Sequence, residues 1–115
     1  MTNPPLKPAQ REAIAAVERA IDPALCTALA EPARLEIVKV LLRLLSADVG
    51  EISAHLEQDR SVVSRHLKTL REAGVVLQRR EGRRRIYTLD GAGLIRRFDQ
   101  ISVAIRAAMS ACCPD

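Results

Sequence analysis

The sequence predicts a mainly α fold with one small β-hairpin, in the order of a winged helix-turn-helix. Three observations predict it. Apolar residues recur at helical spacing over most of the chain. Two of the helical stretches are short and separated by the tight turn 57–59, the pattern of a helix-turn-helix. Directly after them the period changes to that of strands, at Val75-Val76-Leu77 and again at Arg85-Ile86-Tyr87-Thr88-Leu89, around Gly82. With 115 residues, 48% of them hydrophobic and 2% aromatic, the chain supports one domain with an aliphatic core.

Each element follows from local chemistry. Residues 1–8 are polar and proline-rich and read as a disordered arm, residues 9–111 as the folded domain, and residues 112–115 as a tail carrying vicinal cysteines. From Ala9, Ile14, Val17 and Ile21 share a helix face. Asp22-Pro23 and Glu31-Pro32 each restart a helix, since proline fits the first helical position. The second restart leads into Leu35, Val38, Leu41, Leu42 and Leu45, expected as the central core helix. Residues 46–50 read as a turn. Asp48 and Glu51 fit a capping box opening a short helix over 49–56 that buries Ile52 and Leu56. Asp59 is expected to cap the helix 60–73, whose inner face is Val63, Leu67 and Leu70, and Gly74 to end it. Gln78 to Arg84 reads as the wing's turn. A last helix from Gly91 past Met109 sets Leu94, Phe98, Ile101, Ile105 and Ala108 in a narrow seam suited to a helix partner.

Charge locates the function. Between Arg60 and Arg85 nine basic residues face two acidic ones, a local +7 in a chain whose total is +4, so the rest carries −3. A basic surface on a mildly acidic body is the footprint of nucleic-acid binding. Arg60, Ser61, Ser64, Arg65 and Lys68 stand on the outer side of the second helix of the motif, whose N-terminal end enters the major groove in such folds. Arg79, Arg83, Arg84 and Arg85, with Arg80, are expected to follow the DNA backbone or reach the minor groove. His66 reads either as a DNA contact or as a packed, hydrogen-bonded histidine, and His55 as a surface residue. So few aromatics argue against stacking on single strands, which favours duplex DNA over RNA. An enzyme is not expected, because Cys26, His55 and His66 fall on separate helices and no glycine-rich phosphate loop exists. No apolar run long enough to span a membrane and no secretory h-region occurs. Three cysteines suit a reducing cytoplasm.

These residues resemble the ArsR/SmtB family of bacterial winged-helix repressors. The resemblance is carried by Leu29-Ala30-Glu31-Pro32-Ala33-Arg34-Leu35-Glu36-Ile37, by Glu51-Ile52-Ser53-Ala54-His55-Leu56, by Ser61-Val62-Val63-Ser64-Arg65-His66-Leu67-Lys68 with the residues up to Val76, and by Arg80-Glu81-Gly82-Arg83-Arg84-Arg85-Ile86-Tyr87. It implies a homodimer built by the first and last helices, bound to double-stranded operator DNA and released by an inducer.

The inducer must be read from the site, not the fold. The segment 49–54 lacks the cysteines of the family's common arsenite-type site, and the last helix, with Asp99 but no histidine, lacks its zinc-type site. The remaining candidates are Cys26, Cys112 and Cys113. Three thiolates with no nitrogen or oxygen donor select a soft ion, so the expected ligand is trivalent arsenic, as arsenite or, with two thiolates, methylarsenite. Antimonite and Hg(II) have similar demands. The alternative is a thiol-redox or polysulfide switch joining Cys26 to Cys112 or Cys113. No organic cofactor is expected.

Overall fold

The computed structural model describes residues 4–112. Its elements run α1 (Pro8–Ala20), α2 (Pro23–Ala30), α3 (Pro32–Leu44), β1 (Ser46–Ala47), α4 (Val49–Ser53), α5 (Arg60–Glu72), β2 (Val76–Glu81), β3 (Arg84–Leu89) and α6 (Gly91–Cys112). They form two compact units, one of residues 23–94 and one of the described residues up to 22 together with those from 95 onward.

The 23–94 unit holds the core. Leu25, Ile37, Leu41, Ile52, Val63, Leu67, Leu70, Val75 and Val76 are fully buried, with Tyr87 the buried aromatic. Each such aliphatic side chain contributes about 1.5–3 kcal/mol through burial. Helix α3 differs from expectation. Ile37, Val40 and Leu41 face the core, while Leu35, Leu42 and Leu45 are exposed, Leu45 at 73%. Apolar residues cover more than half of the circumference of α3, outside the stripe of Glu36, Lys39 and Arg43, so spacing alone did not single out the buried face. Leu45 closes α3 with φ 69° and ψ −50°, and is the one non-glycine residue with positive φ among those described.

The three antiparallel strands run in the order β1-β3-β2. The turn expected over 46–50 is instead partly strand. Ser46 and Ala47 pair with Thr88 and Tyr87. The hairpin is also longer than periodicity suggested. Register from Val76↔Leu89 to Glu81↔Arg84 leaves only Gly82 and Arg83 as the loop. Gly82 has φ +65° and Arg83 does not, the sign pattern of a type II′ turn, which matches the twist of the strands it joins.

Helix α4 is shorter than expected and ends at Ser53, leaving a longer turn before α5. Its capping box forms as expected. The Glu51 N–H donates to Asp48 Oδ1 at 2.8 Å, and the Asp48 N–H donates to Glu51 Oε1 at 3.0 Å. Asp59 occupies the N-cap of α5, but its side chain makes no capping hydrogen bond, contrary to expectation. Helix α5 closes on Gly74 at φ +75°. The Gly74 N–H donates to Arg71 O and the Val75 N–H to Leu70 O, a complete Schellman ending. The Val75 carbonyl in turn accepts the Asp90 N–H at 2.9 Å. Asp90 opens α6, its Oδ1 accepting the Gly93 N–H at 3.0 Å.

In the other unit, α1 begins at Pro8, and its start is tied down locally. The Lys7 N–H donates to Gln10 Oε1, and the Arg11 guanidinium donates to Leu6 O. No residue of α1 is buried. Ile14, Phe98, Val103, Ile105 and Met109 are all at least 41% exposed. A groove of about 490 Å³ is lined by Ile14, Val17, Glu18, Ile105, Ala108, Met109 and Cys112. Among the described residues no helix is long and apolar enough to cross a membrane.

Candidate nucleic-acid interface

Helix α5 is oriented by its inner stripe. Val63, Leu67 and Leu70 are each 0% exposed, and this turns Ser61, Ser64, Arg65 and Lys68 to solvent. Its C-terminal end is fastened to the hairpin, where Arg71 Nη1 donates to Gln78 Oε1 at 2.6 Å. His66 is half-buried and lies 3.5 Å from Arg34 Nη1 through Nδ1. The same Arg34 guanidinium donates to the Ala28 and Thr27 carbonyls at 2.7 and 3.0 Å, closing the end of α2. His66 is thus a half-buried side chain of the recognition helix that lies against the Arg34 guanidinium. Arg60 is exposed but folds back over α4, where a Cβ placed on Gly50 would come within 3.3 Å of its Nη2.

The hairpin sorts its arginines by face, because successive residues of a strand point to opposite sides. One face holds Arg79, Glu81, Arg84, Ile86 and Thr88. Here Arg79 donates to Glu81 Oε2 at 3.2 Å and to Thr88 Oγ1 at 3.4 Å. Arg84 donates through Nε to Asp48 Oδ2 at 2.9 Å and through Nη2 to Glu51 Oε1 at 2.5 Å. The Asp48 carboxyl is held below its ordinary value, first by the Glu51 backbone N–H and then by Arg84. The other face meets α5 through Gln78 and carries Arg80 directly opposite Arg85. Like charges facing each other across a strand pair are destabilising, and here no acidic partner is found for them among the described residues. Arg83 is exposed at the tip. The sequence reading thus grouped as one set arginines that the structure divides. It gave Arg80 less weight than the register does, and only strand parity, once the hairpin's true length is known, separates them.

The cysteines are placed as follows. Cys26 is exposed on α2, so it is not a core residue, and Cys112 is a half-buried free thiol at the end of α6, on the rim of the apolar groove. Cys113 lies outside the described residues. Among the described residues no three His, Cys, Asp or Glu side chains gather as a metal site.

A helix-turn-helix followed by a basic hairpin is the architecture of DNA-binding transcriptional regulators. The chain belongs to the ArsR family: the family described as bacterial regulatory protein, arsR family, matches residues 31–77, and regulators more than 30% identical to the chain are matched over two thirds or more of their length. The HTH-type transcriptional regulator Rv2034 of Mycobacterium tuberculosis (strain ATCC 25618 / H37Rv) is 45% identical over 67 residues, 58% of this chain and 62% of that one, so the match spans less than two thirds of this curated relative. The crystal structure of a possible transcriptional regulator for arsenical resistance superposes with a TM-score of 0.59 at 34% identity, covering 77% of this chain and 86% of the other. The solution structure of the cadmium metal-sensor CMTR from Mycobacterium tuberculosis gives a TM-score of 0.54 at 38% identity, covering 68% and 80%.

Proposed function

We propose that the chain acts in the cytoplasm as a homodimeric repressor that leaves its operator when a trivalent arsenical binds its cysteine thiolates. One observation carries the DNA reading. The outer face of α5 (Ser61, Ser64, Arg65, Lys68), the α5-side arginines of the hairpin (Arg80, Arg85) and Arg83 at its tip form a basic surface with no acidic partner among the described residues. Serine hydroxyls and Arg65 suit base edges and phosphates along the helix, and the wing arginines suit the backbone beside it. Arg60, Arg79, Arg84 and His66 border that surface and support it. The exposed apolar residues of α1 and α6 supply the dimer face, and a dimer reads two half-sites about 34–36 Å apart.

The inducer reading rests on donor chemistry. Cys112 is followed directly by Cys113, and two thiolates suffice for methylarsenite. Arsenite takes three, with Cys26, exposed and free, as the third donor. Relatives described by arsenical resistance and by cadmium sensing support a soft ion. Antimonite and Hg(II) ask for the same donors, and exposure of Cys26 also favours a thiol-redox response to polysulfide.

The test is a titration of the reduced protein on duplex DNA from upstream of its own gene, followed by fluorescence anisotropy. Arsenite, methylarsenite, antimonite, Hg(II), Zn(II) and polysulfide are compared, with Cys26→Ser and Cys112→Ser/Cys113→Ser variants alongside. Release by a trivalent arsenical that disappears in the double variant is the expected result. Release by polysulfide alone transfers the chain to the redox class.

A further inference from the structure

The two faces of the hairpin carry a second inference, which rests on the DNA reading just given. We propose that Arg84 is a positioning residue: held by Asp48 and Glu51, it latches the hairpin to the capped start of α4 and so aims Arg80, Arg83 and Arg85 at DNA.

The geometry calls for such a latch. Strand β1 supports the sheet only at its base, where its last pair is Ala47↔Tyr87. Arg84 lies three residues further out, about 10 Å along the strand. Beyond β1 the hairpin is a two-stranded ribbon, which is marginal in water on its own. Arg84 is where that distal half regains a tether. Both of its partners are already fixed, since Asp48 and Glu51 cap each other's backbone N–H groups. Each carboxylate therefore serves two roles through named atoms. Asp48 Oδ1 takes the helix N–H and Oδ2 takes Arg84 Nε, while Glu51 Oε1 accepts from both the Asp48 N–H and Arg84 Nη2. Each ion pair is partly exposed and weak as a source of global stability. What the pair fixes is an angle. The charge of Arg84 is offset by two carboxylates, whereas Arg80 and Arg85 point from the opposite face with no such partner among the described residues.

The decisive variant keeps the cap and reduces the latch to at most one neutral hydrogen bond. Asn caps a helix as well as Asp, and Gln replaces Glu at the third position of a capping box. Asp48→Asn/Glu51→Gln therefore leaves α4 closed and takes away both charges facing Arg84. It is compared with Arg84→Gln in the full chain. Without DNA, ¹⁵N order parameters and amide exchange at Gly82 and Arg83 report the hairpin. With duplex DNA from upstream of the gene, affinity is measured across a salt series. The latch predicts a looser hairpin in both variants, an affinity loss of about threefold to tenfold in both, and a log–log salt slope like that of the wild type. The triple variant loses no more than either parent.

A phosphate-binding Arg84 gives opposite results. The double variant then binds tighter, because a guanidinium is freed and two negative charges are gone, and Arg84→Gln lowers the salt slope by about 0.9. Either outcome overturns the proposal, as does an equally ordered hairpin in all variants. If the wild type binds no duplex, the DNA reading fails, and the order parameters still decide the latch.

Discussion

Arg65 is the residue most exposed to a direct test. It stands near the middle of α5, turned outward by the buried Val63 and Leu67 on either side. Arg65→Ala is expected to cost about 1–3 kcal/mol of operator affinity and to narrow the preference over random DNA, read from parallel anisotropy titrations. An unchanged preference would remove it from base reading. Asp48 gives a pH prediction. Its folded-state value lies below the ordinary 3.8, so its contribution to stability is complete above that pH and is lost as the pH falls through the folded value. The stability gap between wild type and Asp48→Asn, from urea melts, should therefore be widest near neutrality and close below pH 3.8; a gap constant with pH contradicts this. Leu45 is strained and exposed. Leu45→Gly removes the strain at little loss of burial, and is expected to raise stability by about 1 kcal/mol in thermal melts. Side-chain roles of this kind were only partly legible beforehand. The outward set on α5 followed from the period of its apolar stripe. The engagement of Arg84 and the packing of His66 depend on partners 36 and 32 residues away, which no local pattern encodes.

Among the elements, those with terminal chemistry were the ones that could be read. The Asp48–Glu51 box, Pro23, Pro32 and Gly74 stand where the sequence predicts a start or a stop. Strand β1 could not be read, because two residues carry no periodicity and become a strand only by pairing with β3. The arginine-rich stretch 78–84 looked like a turn, yet most of it is strand, since tertiary pairing overrides polar composition. The hairpin's own turn is testable. A Cβ at Gly82 would meet nothing within 4 Å, so Gly82→Ala isolates the backbone cost of φ +65°. It is expected to destabilise by about 1–2 kcal/mol, seen in thermal melts together with weaker DNA binding. Neutral behaviour would mean that the turn relaxes to another type.

For the whole molecule, the paired apolar stripes of α1 and α6 were visible as spacing, and the exposed Ile14, Phe98 and Ile105 now give them a surface. Phe98→Glu/Ile105→Glu is expected to yield monomers by sedimentation while leaving helix content intact. Operator affinity should then fall by orders of magnitude, because one half-site cannot hold the protein alone. A dimer that survives this variant would relocate the interface. One further feature acts at this scale. The N–H of Val75 finishes α5, and the carbonyl of Val75 receives the N–H of Asp90 that opens α6. The end of the recognition helix and the residue that precedes the terminal helix thus meet at the main chain of a single residue. Conventional mutagenesis is blind to such a joint, since every amino acid except proline retains the amide. Replacing the Val75 or Asp90 amide by an ester through protein semisynthesis deletes that donor, at the cost of a weaker preceding carbonyl acceptor, and would show how much the joint contributes through the backbone alone.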